Sequence, residues 1–384
     1  MNAFDFDNAP DRRGTASYKW DTPEYPEVIP MWVADMDFRT APAITGALQQ
    51  RVAHGVFGYT KVPPEYYRAC IDWFSKRHGW RFDADSVIYT SGVVPAVSAI
   101  IKAMTHPGEK VILQTPAYNC FYSSIRNNGC ILSENRLLRD AEGRYTIDYD
   151  DLAEKAADPS ATLLILCNPH NPTGRVWTAG ELQRVAEICL ENNVFVIADE
   201  IHCELTYGVR PYTPYGTVGA EFQNSAAICV SPSKAFNIAG LQIANIVATD
   251  ATVRARIDRA INDNEVCDVN PFGVAATIAA YTESSAWLDE LRAYLWNNYL
   301  TAREIIGDKF SITPLEGTYL LWLDVSSTET PVDELCRRLE ERFKVKVSSG
   351  TDYGPGGEGF VRINLACPRA RLIEGLRRLL AGLS

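Results

Sequence analysis

Between about residues 85 and 250, short runs of Val, Ile and Leu alternate with segments of helical period, and this alternation constrains the fold more than any other feature. The runs are SVIYT (86–90), KVILQ (110–114), TLLILCN (162–168), VFVIADE (194–200), AAICVSPS (226–233) and ANIVAT (244–249). Each is short and almost uniformly apolar, so each is expected to be buried on both faces, in a mostly parallel central sheet with helices on either side. Several runs end in polar or small residues. Open α/β sheets bind ligands beyond the carboxyl ends of their strands, so the chemistry is expected there.

Beyond residue 250 the pattern changes to long helical stretches, TVRARIDRAINDNE (252–265) and AWLDELRAYLWNNYLTAREII (286–306). Strand-like YLLWLDV (319–325) and FVRINLA (360–366) follow, with helical VDELCRRLEERF (332–343) and RARLIEGLRRLLAGL (369–383). A chain of 384 residues is long enough for two domains. We expect a large domain over 46–284 and a smaller α+β domain over 285–384, joined by the extended, Pro-rich segment 1–45.

The net charge of −11 repels phosphate backbones and anionic lipid, which argues against nucleic acid or a membrane surface as partner. No apolar run approaches the ~18 residues of a membrane span, and MNAFDFDNAPDRR lacks the pattern of a secretory leader. The ten cysteines contain no CxxC pair and read as reduced thiols, so the expected compartment is the cytoplasm.

Candidate chemistry lies at the ends of the apolar runs. Ser231-Pro232-Ser233-Lys234 follows AAICV. Alone, this is a Lys in a Ser-rich turn; in a partly apolar pocket its lowered pKa would let the amine form a Schiff base with an aldehyde cofactor. Ser231 and Ser233 offer hydroxyls to a phosphate. Asp199 closes VFVIADE at a depth where a carboxylate demands a cationic partner, such as a protonated pyridine nitrogen. Asn168-Pro-His-Asn-Pro-Thr-Gly174 forms a rigid turn that presents Asn171 to a phenolic oxygen. Gly92 and Val93 open a helix after SVIYT, a phosphate site built from backbone N–H groups. Tyr118, after KVILQ, is placed to stack on a flat ring.

The order SGVVPA, TPAY, NPHNPTG, ADEIH, SPSK and a late RIN resembles the fold-type I pyridoxal 5′-phosphate (PLP) enzymes of the class I/II aminotransferase superfamily. Within it, KWD, PMWVADMDF, HGVFGYT and SPSKAFNIAGLQ resemble the cystathionine β-lyase branch, the MalY/PatB-type C–S lyases. The resemblance implies an aspartate aminotransferase-like fold, with Lys234, Tyr118 and Asp199 catalytic and Lys234 carrying the cofactor. It implies cofactor contacts from Asp199, Asn171, Tyr118, Gly92, Val93, Ser231, Ser233 and His202. Substrate contacts fall to Arg362, Ala34 and Asn171, with Arg362 on the α-carboxylate. It implies a homodimer with shared active sites, in which Tyr59 reaches the neighbouring subunit's phosphate. Gln242 and His202 stand where many relatives carry Arg and Tyr, so the phosphate cup is less cationic.

The activity implied is α,β-elimination from L-cystathionine, related cysteine S-conjugates or cysteine, giving a thiol, pyruvate and ammonia. Transamination with a 2-oxo acid and a PLP-binding regulatory role are the alternatives. Gly354–Gly359 matches G-x-G-x-x-G, but the strand-like FVRINLA follows where a dinucleotide site needs a helix, so it is expected to be a loop. No metal site is expected: Cys167, His170, His202 and Cys203 lack zinc-ligand spacing.

Overall fold

The computed structural model describes residues 3–208, 210–263, 265 and 267–384. All six apolar runs contribute a strand to one sheet: β1 (Val87–Thr90), β2 (Lys110–Thr115), β4 (Ala161–Cys167), β5 (Phe195–Asp199), β6 (Ala226–Val230) and β7 (Ala244–Val247). A seventh, β3 (Ile131–Arg136), completes the order β1-β7-β6-β5-β4-β2-β3. Its sequence, ILSENR, lacks the apolar run of the others because it lies at the sheet edge and is partly exposed. The strands β3, β2, β4, β5 and β6 are mutually parallel, whereas β7 runs antiparallel to both β6 and β1.

The alternation of side chains along each strand divides the core in two. Val111, Leu113, Leu163, Ile165 and Ile197 join one cluster with Ala96, Ile100 and Phe121 from the helices Val93–Met104 and Asn119–Asn127. Ile112, Leu164, Leu166, Val196 and Ala198 face the other, which includes Leu182, Val185 and Cys189 of the helix Ala179–Glu191. That helix starts at a capping box, in which Thr178 and Glu181 exchange side-chain-to-backbone hydrogen bonds. The helix Pro271–Glu283, PFGVAATIAAYTE, has no counterpart among the periodic segments. It is apolar on nearly every side, so no amphipathic stripe announces it.

C-terminal to these lies a three-stranded antiparallel sheet of β8 (Leu320–Asp324), β9 (Ser348–Ser349) and β10 (Phe360–Asn364), ordered β8-β10-β9. The helices Val332–Phe343 and Arg369–Leu383 accompany it. Leu372, Leu376, Leu379 and Leu383 recur at helical spacing and are buried. Ile29–Pro30 pairs in parallel with Val345–Lys346, which ties the N-terminal segment to this part of the chain. Asp37 reinforces the tie: although 1% exposed, it meets Lys19 at 3.0 Å, Arg371 at 2.8 Å and the Trp20 indole at 2.9 Å. No helix of the described residues is long and apolar enough to cross a membrane.

Candidate active site

The ends of β1, β2, β4, β5 and β6 open into a cavity of about 530 Å³, within the size range of small-molecule sites. Nine of the twelve residues singled out by sequence line it: Ala34, Gly92, Val93, Tyr118, Asn171, Asp199, His202, Lys234 and Arg362. They come from seven separated stretches of chain.

Lys234 Nζ donates to the carbonyl of Ala34 at 2.7 Å. Burial and the nearby Arg362 guanidinium lower its pKa to about 8, while Asp35 and Asp199 pull the other way. Asp199, 4% exposed, has its pKa raised to about 6 by burial, although its Oδ1 accepts the Ile201 N–H at 3.0 Å and Lys234 is near. His202 is held neutral: burial, then Lys234 and Arg362, depress its pKa well below the ordinary value. Its Nδ1 is buried without a hydrogen-bond partner among the described residues. Burial raises the Tyr118 hydroxyl, with Arg362 opposing.

Arg362, on β10, is 4% exposed and held on several sides. Nη1 donates to Asn171 Oδ1 at 3.0 Å, Nη2 donates to the Trp32 carbonyl at 2.8 Å, and the guanidinium lies 4.8 Å from the Tyr353 ring centre. Its Nε has no partner among the described residues. At the start of the helix Val93–Met104, Gly92 gives no side-chain cap, so the first-turn N–H groups face the cavity uncapped.

Three residues lie outside the cavity wall. Ser231 Oγ donates to the Ile243 carbonyl at 2.6 Å and lies 2.8 Å from Ser233 Oγ, so this pair is engaged within its own turn. Tyr59 is fully exposed. Residues that sequence reasoning passed over complete the site. Tyr319 donates to the same Ala34 carbonyl at 2.9 Å. Asn364 Nδ2 donates to the carbonyls of Val33 and Asp35, each at 2.6 Å, and Asn237 holds Met36 and Phe38 through their backbones. These three fix the segment that presents Ala34. Their one sequence signal is a polar side chain inside an apolar context, as in FVRINLA and AFNIAG. The loop at Gly354–Gly359 leads into β10 and not into a helix.

The profile of the family described as aminotransferase class I and II matches residues 26–379, nearly the whole chain. The chain belongs to the class I and II aminotransferase family. Among relatives in this family, the cystathionine beta-lyase PatB of Bacillus subtilis (strain 168) is 42% identical over 386 residues, covering 99% of this chain and all of that one. Protein MalY of Escherichia coli (strain K12) is 36% identical, with 98% of each chain covered. The crystal structure of cystalysin from Treponema denticola, which contains a pyridoxal 5′-phosphate cofactor, superposes with a TM-score of 0.95 at 32% identity, over 99% of this chain and 98% of that one.

The residues present fit such a cofactor. A buried carboxylate disfavoured by its surroundings, a neutral imidazole with an orphaned nitrogen, uncapped helix N–H groups and a lysine of lowered pKa all face one cavity.

Proposed function

We propose that this protein is a pyridoxal 5′-phosphate-dependent carbon–sulfur β-lyase that cleaves L-cystathionine and related cysteine S-conjugates to a thiol, pyruvate and ammonia. The observation that carries the activity is the full-length, 42% identity to a relative named cystathionine beta-lyase. The assignment of residues rests on the cavity that gathers Lys234, Asp199, Asn171 and Arg362.

Lys234 would hold the cofactor, Asp199 its ring nitrogen, Asn171 its phenolic oxygen, Tyr118 its ring face, and Gly92 and Val93 its phosphate. Ser231 and Ser233 would support the phosphate cup through the turn they stiffen, and His202 would offer its ring to the cofactor's polar edge. The bound cofactor supplies an electron sink for the substrate's Cα. Arg362 takes the α-carboxylate, for which its planar fork is suited, and Asn171 and the Trp32 carbonyl keep that fork oriented. Displaced from the cofactor by the substrate's own amine, Lys234 Nζ would be free to accept the Cα proton; its lowered pKa leaves a useful neutral fraction near neutral pH. The Ala34 carbonyl and the Tyr319 hydroxyl fix where that amine stands.

We further propose a large domain over 46–284 and a small one from 1–45 and 285–384, a homodimer in which Tyr59 reaches the neighbouring site, and a cytoplasmic location. Exposed Val56, Phe57 and Tyr59 support the dimer, since apolar surface of this kind calls for cover. Ten unpaired cysteines support the compartment.

The test is a coupled assay for pyruvate on purified holoenzyme given L-cystathionine alone. Pyruvate and thiol released without a 2-oxo acid support the lyase. A yellow protein silent until a 2-oxo acid is added would be an aminotransferase, and pyruvate release surviving Lys234→Ala would sink the assignment of the base.

A further inference from the structure

The residues assigned above account for the inner half of the cavity and leave its outer wall unexplained. Tyr18, Trp32, Ser348 and Asp352 line that wall. The Tyr18 and Trp32 rings lie 5.3 Å apart, tilted by 42°, and Tyr18 is 71% exposed. Trp32 is fixed in place: its indole donates to the Lys19 carbonyl at 3.2 Å, and its own carbonyl accepts from Arg362 at 2.8 Å and Ser348 at 3.1 Å.

Asp352 stands in the turn Gly350–Tyr353, and among the described residues its carboxylate has no hydrogen bond or ion pair. The neighbouring charges are engaged. Arg362 is bonded to Asn171 and Trp32, Lys346 pairs with Glu340 at 2.8 Å, and Asp333 accepts from Ser349 at 2.5 Å and Thr351 at 2.6 Å. The uncommitted charge at the mouth is therefore negative. Asp352 is exposed at the rim, where its carboxylate is repelled by Asp333 and attracted by Arg362.

A thioether substrate has two halves. With its α-carboxylate on Arg362 and its Cα beside Lys234, the half beyond sulfur extends toward the mouth. We propose that the outer wall is a subsite for this leaving half, with Tyr18 and Trp32 flanking its methylenes and Asp352 receiving a terminal ammonium. The proposal rests on the lyase reading and narrows it to cysteine thioethers whose thiol side ends in an amine. Trp32 already has the Lys346 ammonium 5.0 Å from its ring centre, so within the aromatic pair it is Tyr18 that would add a cation–π contribution to the same end.

The holoenzyme is titrated with S-(2-aminoethyl)-L-cysteine and with S-propyl-L-cysteine, which differ only in an ammonium against a methyl. The change in cofactor absorbance gives an apparent Kd for each. Asp352→Asn is expected to lower the preference for the aminoethyl compound about fivefold, the size of a partly solvated ion pair, and Asp352→Glu to retain most of it. A preference unmoved by Asp352→Asn overturns the subsite. Pyruvate is assayed in the same samples: its absence with both compounds counts against the lyase reading, while the ratio of Kd values still decides the subsite.

Discussion

Lys234 stands between opposing pulls, burial and Arg362 lowering its pKa to about 8 and two carboxylates raising it. The neutral amine is the form that attacks an aldehyde. In apoprotein, the rate of pyridoxal phosphate uptake, followed by absorbance, is therefore expected to rise with pH and level off above about 8. Asp199 carries the complementary cost. Its carboxyl stays protonated in the native state up to about pH 6, above its ordinary value of 3.8, so apoprotein stability falls as pH rises through that window. Asp199→Asn is expected to stabilise the apoprotein at neutral pH by up to about 3 kcal/mol in urea unfolding, and to reduce lyase turnover at least about a hundredfold. A variant with no gain in apo stability would show that the carboxylate is not under strain. At this scale the sequence was informative: Lys234, Asp199 and Asn171 each follow an apolar run, where a polar side chain needs a reason. For Asn237, Tyr319 and Asn364 it marked a polar side chain in an apolar context but not its role, because the backbone they hold is far away in sequence.

Among the elements, the turn Gly350–Tyr353 links the small sheet to the cavity, since it delivers Tyr353 against Arg362 and Asp352 to the mouth. Its geometry depends on close backbone approach. A Cβ at Gly350 would lie 1.9 Å from the Gly357 carbonyl oxygen and 2.5 Å from that of Phe360. Gly350→Ala is expected to cost about 2–4 kcal/mol by overpacking, read as a lower urea midpoint, and to raise KM for the amino-acid substrate through displacement of Tyr353. The elements most legible in the sequence were those with a clean period: Val332–Phe343 and Arg369–Leu383 coincide with the amphipathic stretches read from the residues alone. The strand Ile131–Arg136 and the helix Pro271–Glu283 were not legible, one because a sheet edge tolerates polar residues and the other because burial on all sides erases periodicity.

Across the whole molecule, the N-terminal segment is bound to the C-terminal part through the Ile29–Pro30 pairing and the buried Asp37 cluster. Asp37→Ala would leave Lys19, 1% exposed, without its closest carboxylate, and is expected to cost about 3–5 kcal/mol, measured by thermal or urea unfolding. Val52, Val56, Phe57 and Tyr59 form an exposed apolar stretch on the same chain. Phe57→Asp is expected to shift sedimentation equilibrium toward a monomer and to weaken cofactor retention; an unshifted mass would count against this surface as the subunit interface. What the sequence by itself determined was the class of fold, six of the seven strands that build the sheet and the residues at their ends, because burial on two faces and the cost of a buried charge are both written in local residue order. What only the tertiary structure decided was convergence. Arg362 meets Asn171, Trp32 and Tyr353, and Ala34 accepts from Lys234 and Tyr319, across separations of up to 330 residues. Contacts that distant are set by how strands and helices pack, and no local pattern encodes them.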